Sequence, residues 1–157
     1  MVTLSLDSNV VVDLLRGERD QVRRSFDAAR ADSVGLKVST VVLHELAYGA
    51  YRSPSPEKGL RELDSFLAEV DVVEFTGEDA ITAGEIRARL APQGVQLSVA
   101  DLFIGAQSHG RGWGLVTNNI RHLGCVPGLT FYDWRVSPAA LNHREVQERL
   151  RGPAKDK

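Results

Sequence analysis

At 157 residues, 43% hydrophobic and 25% charged, the chain has the length of one globular domain with a real hydrophobic core. A net charge of −2 excludes a global positive field of the kind that attracts nucleic acid and leaves only local basic patches for that purpose. The single cysteine, Cys125, excludes an internal disulfide framework and a thiolate zinc cluster, and favours a reducing cytosol.

The opening "MVTLSLDSNVVVDLL" has no basic n-region and carries Asp7 early, so it does not read as a signal peptide. No apolar run approaches membrane-spanning length, and a cytoplasmic protein without membrane contact is expected. Residues 2–6 form a short apolar run, a buried strand that stops at Asp7. Residues 9–15 read as a helix ending near Gly17. Residues 21–31 place Val22, Phe26 and Ala29 on one helical face. Residues 34–38 are a second strand. The following "STVVLHELAYGAY" is a helix capped by Ser39 or Thr40, with Val42, Leu43, Leu46, Ala47 and Ala50 inward. "SPSP" breaks the chain, and the next helix carries Leu60, Leu63, Phe66, Leu67 and Val70 at helical spacing.

Residues 71–75 are a third strand, and residues 78–90 a helix with Ala83, Ile86 and Leu90 on a face. After the loop "APQGV", the stretch "QLSVADLFIGAQ" opens a buried helix that ends near Gly110. Residues 113–117 are a fourth strand and residues 129–133 a short fifth. Strands alternating with helices predict an α/β fold, a mainly parallel central sheet of four to five strands covered on both faces by right-handed crossovers. After Trp134, "SPAALNHREVQERLRGPAKDK" reads as one amphipathic helix with Ala140, Leu141, Val146 and Leu150, followed by a charged tail. The expected division is a domain over residues 1–134 and a helical appendage over 135–157.

In open parallel sheets, ligands bind beyond the carboxyl ends of the strands. Asp7 directly follows the first strand. Glu45 lies on the first two turns of the helix after the second, and Asn118 and Asn119 directly follow the fourth. Asp101 is a lone acid in an apolar helix, where a charge needs a partner. It is either the acid of a Ser98–Asp101 capping box or a metal ligand, and it joins the others if its helix starts at the same edge. Taken singly, Asp7 fits a helix cap as well as a metal ligand, Glu45 reads as a solvated helix residue, and Asn118–Asn119 as a turn. Their joint placement favours chemistry. Three carboxylates in one cleft repel one another unless a cation lies between them. All-oxygen ligands without Cys or paired His suit Mg²⁺ or Mn²⁺ rather than zinc, and these ions serve phosphodiester hydrolysis.

Four blocks in order, "LSLDSNVVVDLL", "STVVLHELAYGA", "LSVADLFIGAQ" and "LVTNNIRHLGCVPGLTFYDW", resemble the PIN-domain family and, within it, the VapC-like toxins of bacterial toxin–antitoxin pairs. Together they span residues 4–134. The resemblance implies a three-layer α/β/α fold and a Mg²⁺-dependent endoribonuclease, with Mn²⁺ as the alternative ion, acting on transfer or ribosomal RNA. It implies metal-binding and catalytic roles for Asp7, Glu45 and Asp101, with Asp7 and Asp101 the chief ligands. It gives Asn9 the task of orienting Asp7 and makes Thr117 the hydroxyl of the fourth block. It also implies a homodimer and a cognate antitoxin whose tail enters the acidic site.

The chain departs from the pattern at the fourth acid. Asn119 and His122 stand where family members carry Asp or Glu. Asn119 is placed in the catalytic set because its carbonyl still accepts hydrogen bonds. Candidate RNA contacts are Arg16, Arg19, Arg23, Arg24, Arg52, Arg111 and Arg121, with Arg144, Arg149, Arg151, Lys155 and Lys157 in the appendage. A haloacid-dehalogenase phosphatase wants a second Asp where Asn9 stands. A receiver domain wants a phosphoacceptor after the third strand, where Phe75, Thr76 and Gly77 stand. The strongest rival is a degenerate PIN domain that binds RNA or a protein without cutting, and it rests on the missing fourth acid.

Overall fold

All five strands run in the same direction. In the computed structural model, which describes residues 2–152, β1 (Thr3–Leu6), β2 (Gly35–Ser39), β3 (Asp71–Val73), β4 (Gly114–Val116) and β5 (Phe131–Tyr132) form one parallel sheet in the order β3-β2-β1-β4-β5. Leu4, Leu6, Leu36, Val38, Leu115, Val116 and Phe131 are all buried. Such near-continuous apolar strands belong to a sheet covered on both faces. The covering helices are α1 (Ser8–Arg16), α2 (Asp20–Ala31), α3 (Thr40–Arg52), α4 (Pro56–Leu67), α5 (Gly77–Leu90), α6 (Val99–Gly110), α7 (Ile120–Leu123) and α8 (His143–Arg151). The result is the expected three-layer α/β/α fold. None of the described helices is long and apolar enough to cross a membrane.

The chain runs from β1 to β2 and β3 on one side of the sheet, then returns to β4 and β5 on the other. The strand order therefore reverses between β1 and β4, the position at which parallel sheets open a crevice. Leu6 lies opposite Val116, and the Asp7 amide donates to the Val116 carbonyl at 3.0 Å. Asp7 is thereby placed at the mouth of that crevice.

The third strand is shorter than expected because side chains claim the backbone beyond Val73. The Phe75 amide donates to Thr40 Oγ1 at 3.0 Å, and the Glu74 carbonyl accepts from Gln107 and Arg111. The Phe75 ring stacks on Phe103 at 4.5 Å. The same corner starts α5 with a capping box between Thr76 and Asp79. Asp79 is buried and also accepts from Gln107 at 3.1 Å and Arg111 at 2.8 Å. Burial alone would raise its carboxyl, but the Arg111 guanidinium, the Thr76 amide and Gln107 outweigh that and hold it at about 2.

The C-terminal segment departs from the single helix expected after residue 136. Ala140 is exposed and pairs antiparallel with Tyr132, and the Leu141 amide donates to the Phe131 carbonyl at 2.8 Å. The open edge of β5 offers these unpaired groups, and sheet pairing there wins over helix extension. The helix begins only after Asn142, whose side chain forms a capping box with Glu145. Val146 is buried, and Leu141 and Leu150 pack on the core. Two ion pairs fasten the segment. Arg135 grips buried Asp13 at 2.7 and 2.9 Å, and Arg149 reaches Asp133. The tail cations Lys155 and Lys157 lie outside the described residues.

Candidate active site

Asp7 ends β1 and caps α1. Its side chain is 2% exposed, so each of its oxygens needs a partner. Oδ1 accepts from the Ser8 amide at 2.8 Å, and Oδ2 accepts from Thr117 Oγ1 at 2.7 Å. Burial pushes the Asp7 carboxyl above its usual value. The Thr117 and Ser8 bonds oppose that rise, while the nearby charges of Asp101 and Glu45 add to it. The site is thus rich in negative charge around one buried acid.

Thr117 is fully buried directly after β4 and also accepts from the Asn119 amide at 3.0 Å. This pairing folds the chain sharply after the strand and turns Asn119 toward α6. There Ser98 caps the helix by accepting from the Asp101 amide at 3.2 Å. The reciprocal half of a capping box is absent, because the Asp101 carboxylate points away and its Oδ2 accepts from Asn119 Nδ2 at 3.3 Å. Asp101 therefore takes the favourable field of the helix N-terminus while presenting its carboxylate to the crevice. Asn119 Oδ1 lies 2.8 Å from His122 Nδ1. An amide oxygen can only accept, so His122 Nδ1 carries the hydrogen, a tautomer assigned from its partner. The bonds run His122 to Asn119 to Asp101.

Glu45 is half-buried on α3. It lines a groove of about 310 Å³ between α1, α3 and α4 that also includes Ser8 and Arg16. The structure thus gathers Asp7, Glu45, Asp101 and Asn119 at one sheet edge, and adds Thr117 and His122. Asn9 does not take the role the resemblance implied. Its amide donates to Asn118 Oδ1 at 3.4 Å rather than to Asp7, so Asp7 is oriented by Ser8 and Thr117 instead.

Among the described residues, no three carboxylate, imidazole or thiol groups form a ready-made metal cage. The donors at this edge are oxygens at partly separated carboxylates. That set suits Mg²⁺, which keeps several waters and is held by one or two carboxylates.

Most of the candidate cations are engaged elsewhere. Arg111 belongs to Asp79, Arg19 pairs with Asp13 and Arg23 with Asp27. Arg24 donates to Gln21, Arg52 to Tyr48 and Arg144 to Glu148. Arg16 and Arg121 form no ion pair among the described residues.

Residues 4–123 match the PIN domain family. The chain is 31% identical over 134 residues to the tRNA(fMet)-specific endonuclease VapC of Salmonella typhimurium, covering 85% of this chain and 99% of that protein. It is 34% identical to the protein of the same name from Shigella flexneri, with the same coverage. Among solved structures, VapBC2 from Rickettsia felis bound to a promoter DNA fragment aligns with a TM-score of 0.79 and 27% identity, over 85% of this chain and 99% of that one. DNA-bound VapBC from Salmonella typhimurium aligns at 0.78 and 31%, with the same coverage. A match over most of the chain, carried on a switch-point crevice that holds Asp7, Asp101 and Glu45, places the chain in the PIN-domain family, among its VapC-like nucleases.

Proposed function

We propose that this chain is the toxin of a toxin–antitoxin pair and cuts RNA with the help of Mg²⁺, with Mn²⁺ as the alternative ion. The observation that carries this reading is the buried Asp7 carboxylate, pushed up by burial and by its neighbours Asp101 and Glu45. A bound cation relieves that energetic cost. Transfer RNA is the proposed substrate, because the relatives are named for it.

Asp7 and Asp101 would hold the ion, with Glu45 beside them. When bound, such an ion neutralises charge on the phosphate and lowers the pKa of a water. The chain's own residues prepare the rest. Ser8 and Thr117 fix both oxygens of Asp7 and favour its ionised form. Asn119 fixes Asp101. Arg16 and Arg121, free of ion pairs among the described residues, take the phosphates to either side, which positions the strand without reading its sequence. Water attacks the phosphodiester in line and its proton passes to the Glu45 carboxylate, while the opposite P–O bond breaks and the leaving sugar oxygen takes a proton from solvent.

An antitoxin partner, after the VapBC assemblies that this fold resembles, and self-association into a homodimer are part of the same reading. Tyr48, Tyr51 and Ile81 are exposed and offer apolar surface for such contacts. The test is cleavage of a transfer-RNA pool with and without Mg²⁺. Wild type cuts only with metal, and Asp7→Asn and Asp101→Asn lose cleavage while keeping native circular dichroism. Retained cleavage in Asp101→Asn defeats the assignment. RNA binding with no cleavage under any metal favours the non-cutting alternative.

A further inference from the structure

The C-terminal segment adds a wall next to the acidic site. α8 lies against α7. The packing is close enough that a Cβ on Gly124, which caps α7, would stand 3.1 Å from the Leu150 side chain. α7 carries His122, the first group in the bonds that lead to Asp101. Between α8, the 124–130 loop and residues 93–97 runs a cleft of about 740 Å³ with His122 in its lining. That volume lies within the roughly 300–1,000 Å³ of sites that enclose small organic ligands.

The lining is selective. In a chain with 21 acidic residues, no carboxylate among the described residues lines this cleft. Its charged or chargeable groups are Arg121, His122, His143 and the Cys125 thiol, and the amides of Gln93, Gln96 and Gln147 also line it. The floor is apolar, formed by residues such as Leu97 and Leu150. One arginine, two imidazoles, side-chain amides and apolar residues, with no carboxylate among the described lining, match an anionic backbone that carries flat bases. They do not match an Arg-bearing protein segment, whose complement is the acidic crevice itself.

We propose that this cleft seats the nucleotides adjoining the scissile phosphate, so that the C-terminal segment selects the RNA substrate. The proposal rests on the RNA-cutting reading above. Arg121 contacts a backbone phosphate, Gln96 and Gln147 reach base edges, and the apolar floor packs a base face, the combination by which unpaired RNA is read.

The probe is a fluorescein-labelled, mixed-sequence oligoribonucleotide, titrated in metal-free buffer so that binding is read apart from cleavage. Gln147→Trp, which fills the cleft from half-buried α8 surface, should weaken binding about tenfold, equivalent to roughly 1.4 kcal/mol. Glu148→Gln, exposed on the same helix and outside the cleft, should leave it unchanged. Arg121→Ala removes an exposed cation without touching the core, and should reduce the slope of log Kd against log salt by about 0.7, the loss of one single-strand phosphate contact. Weakened binding in Gln147→Trp together with a reduced slope in Arg121→Ala supports the cleft even if wild type cuts no RNA, in which case only the nuclease reading fails. Unchanged binding in Gln147→Trp with the full slope in Arg121→Ala overturns the cleft. It does so whether or not cleavage proceeds, and whether or not the same variants weaken binding to a purified antitoxin.

Discussion

Thr117→Val tests how the buried acid is kept ready. The substitution nearly preserves shape and deletes Oγ1, which donates to Asp7 Oδ2 at 2.7 Å and accepts from the Asn119 amide at 3.0 Å. A hydrogen bond to a charged group contributes about 1.5–3 kcal/mol. Thr117 is 0% exposed, so solvent is poorly placed to replace it. The lost bond favoured the ionised carboxyl, so its removal pushes Asp7 further up, in the direction burial already pushes it. At about 1.4 kcal/mol per tenfold, cleavage on the acid side of the pH profile should fall by roughly 10- to 150-fold. The acid limb should move to higher pH, and much of the rate should return on the alkaline plateau. The assay is the pH–rate profile of metal-dependent cleavage at saturating Mg²⁺, with Thr117→Ser as the control that restores the donor. An unmoved acid limb in Thr117→Val would refute the argument that this bond holds Asp7 ionised.

Asp79→Ala removes a capping box and the partner of Arg111, and should cost about 2–4 kcal/mol in urea unfolding. With the carboxyl held at about 2 against an ordinary 3.8, that stabilisation is complete above the ordinary value and is lost as pH falls toward 2. The gap between wild type and variant should therefore be flat near neutrality and close in acid, and a gap that persists there contradicts the linkage. Asn119→Asp places a new carboxylate beside Asp101, where an amide now sits at 3.3 Å, and should lower the Mg²⁺ concentration needed for half-maximal cleavage. An unchanged requirement counts against a metal role for this position. Asp7→Asn should melt above wild type in metal-free buffer near neutrality. The folded carboxyl is raised, so the stability it contributes in acid is lost as pH rises through its folded value. A lower melting temperature in the variant at neutral pH would show that burial of the charge is not what Asp7 costs the fold.

The acids were legible because connectivity alone puts a residue that ends a parallel strand at the ligand-binding edge. Asp7 and Glu45 needed nothing more, and Asp101 stood out as the one charge in an apolar helix. What joins them was not legible. The bond from Asn119 to Asp101 spans 18 positions, and its direction is set by α7, four residues long and too short to show a helical period. The fate of Arg111 was hidden for the same kind of reason, since its partner Asp79 is defined by a capping box at the far end of another helix. In the C-terminal segment the apolar spacing of Ala140 and Leu141 mimicked a helix, while the bonding capacity of the β5 edge, a property of the assembled sheet, decided otherwise.

The same geometry gives a reason for the departure at the fourth acid. Asn119 gives a hydrogen bond to Asp101 and takes one from His122 at once. An ionised carboxylate there has no donor for Asp101 and would stand against it as a like charge. The amide links the histidine to the acid without adding charge to a crevice that already holds three carboxylates. The chain thus gives up a metal-binding charge for a fixed orientation of Asp101, which is why Asn119→Asp should improve metal affinity while loosening the acid beside it.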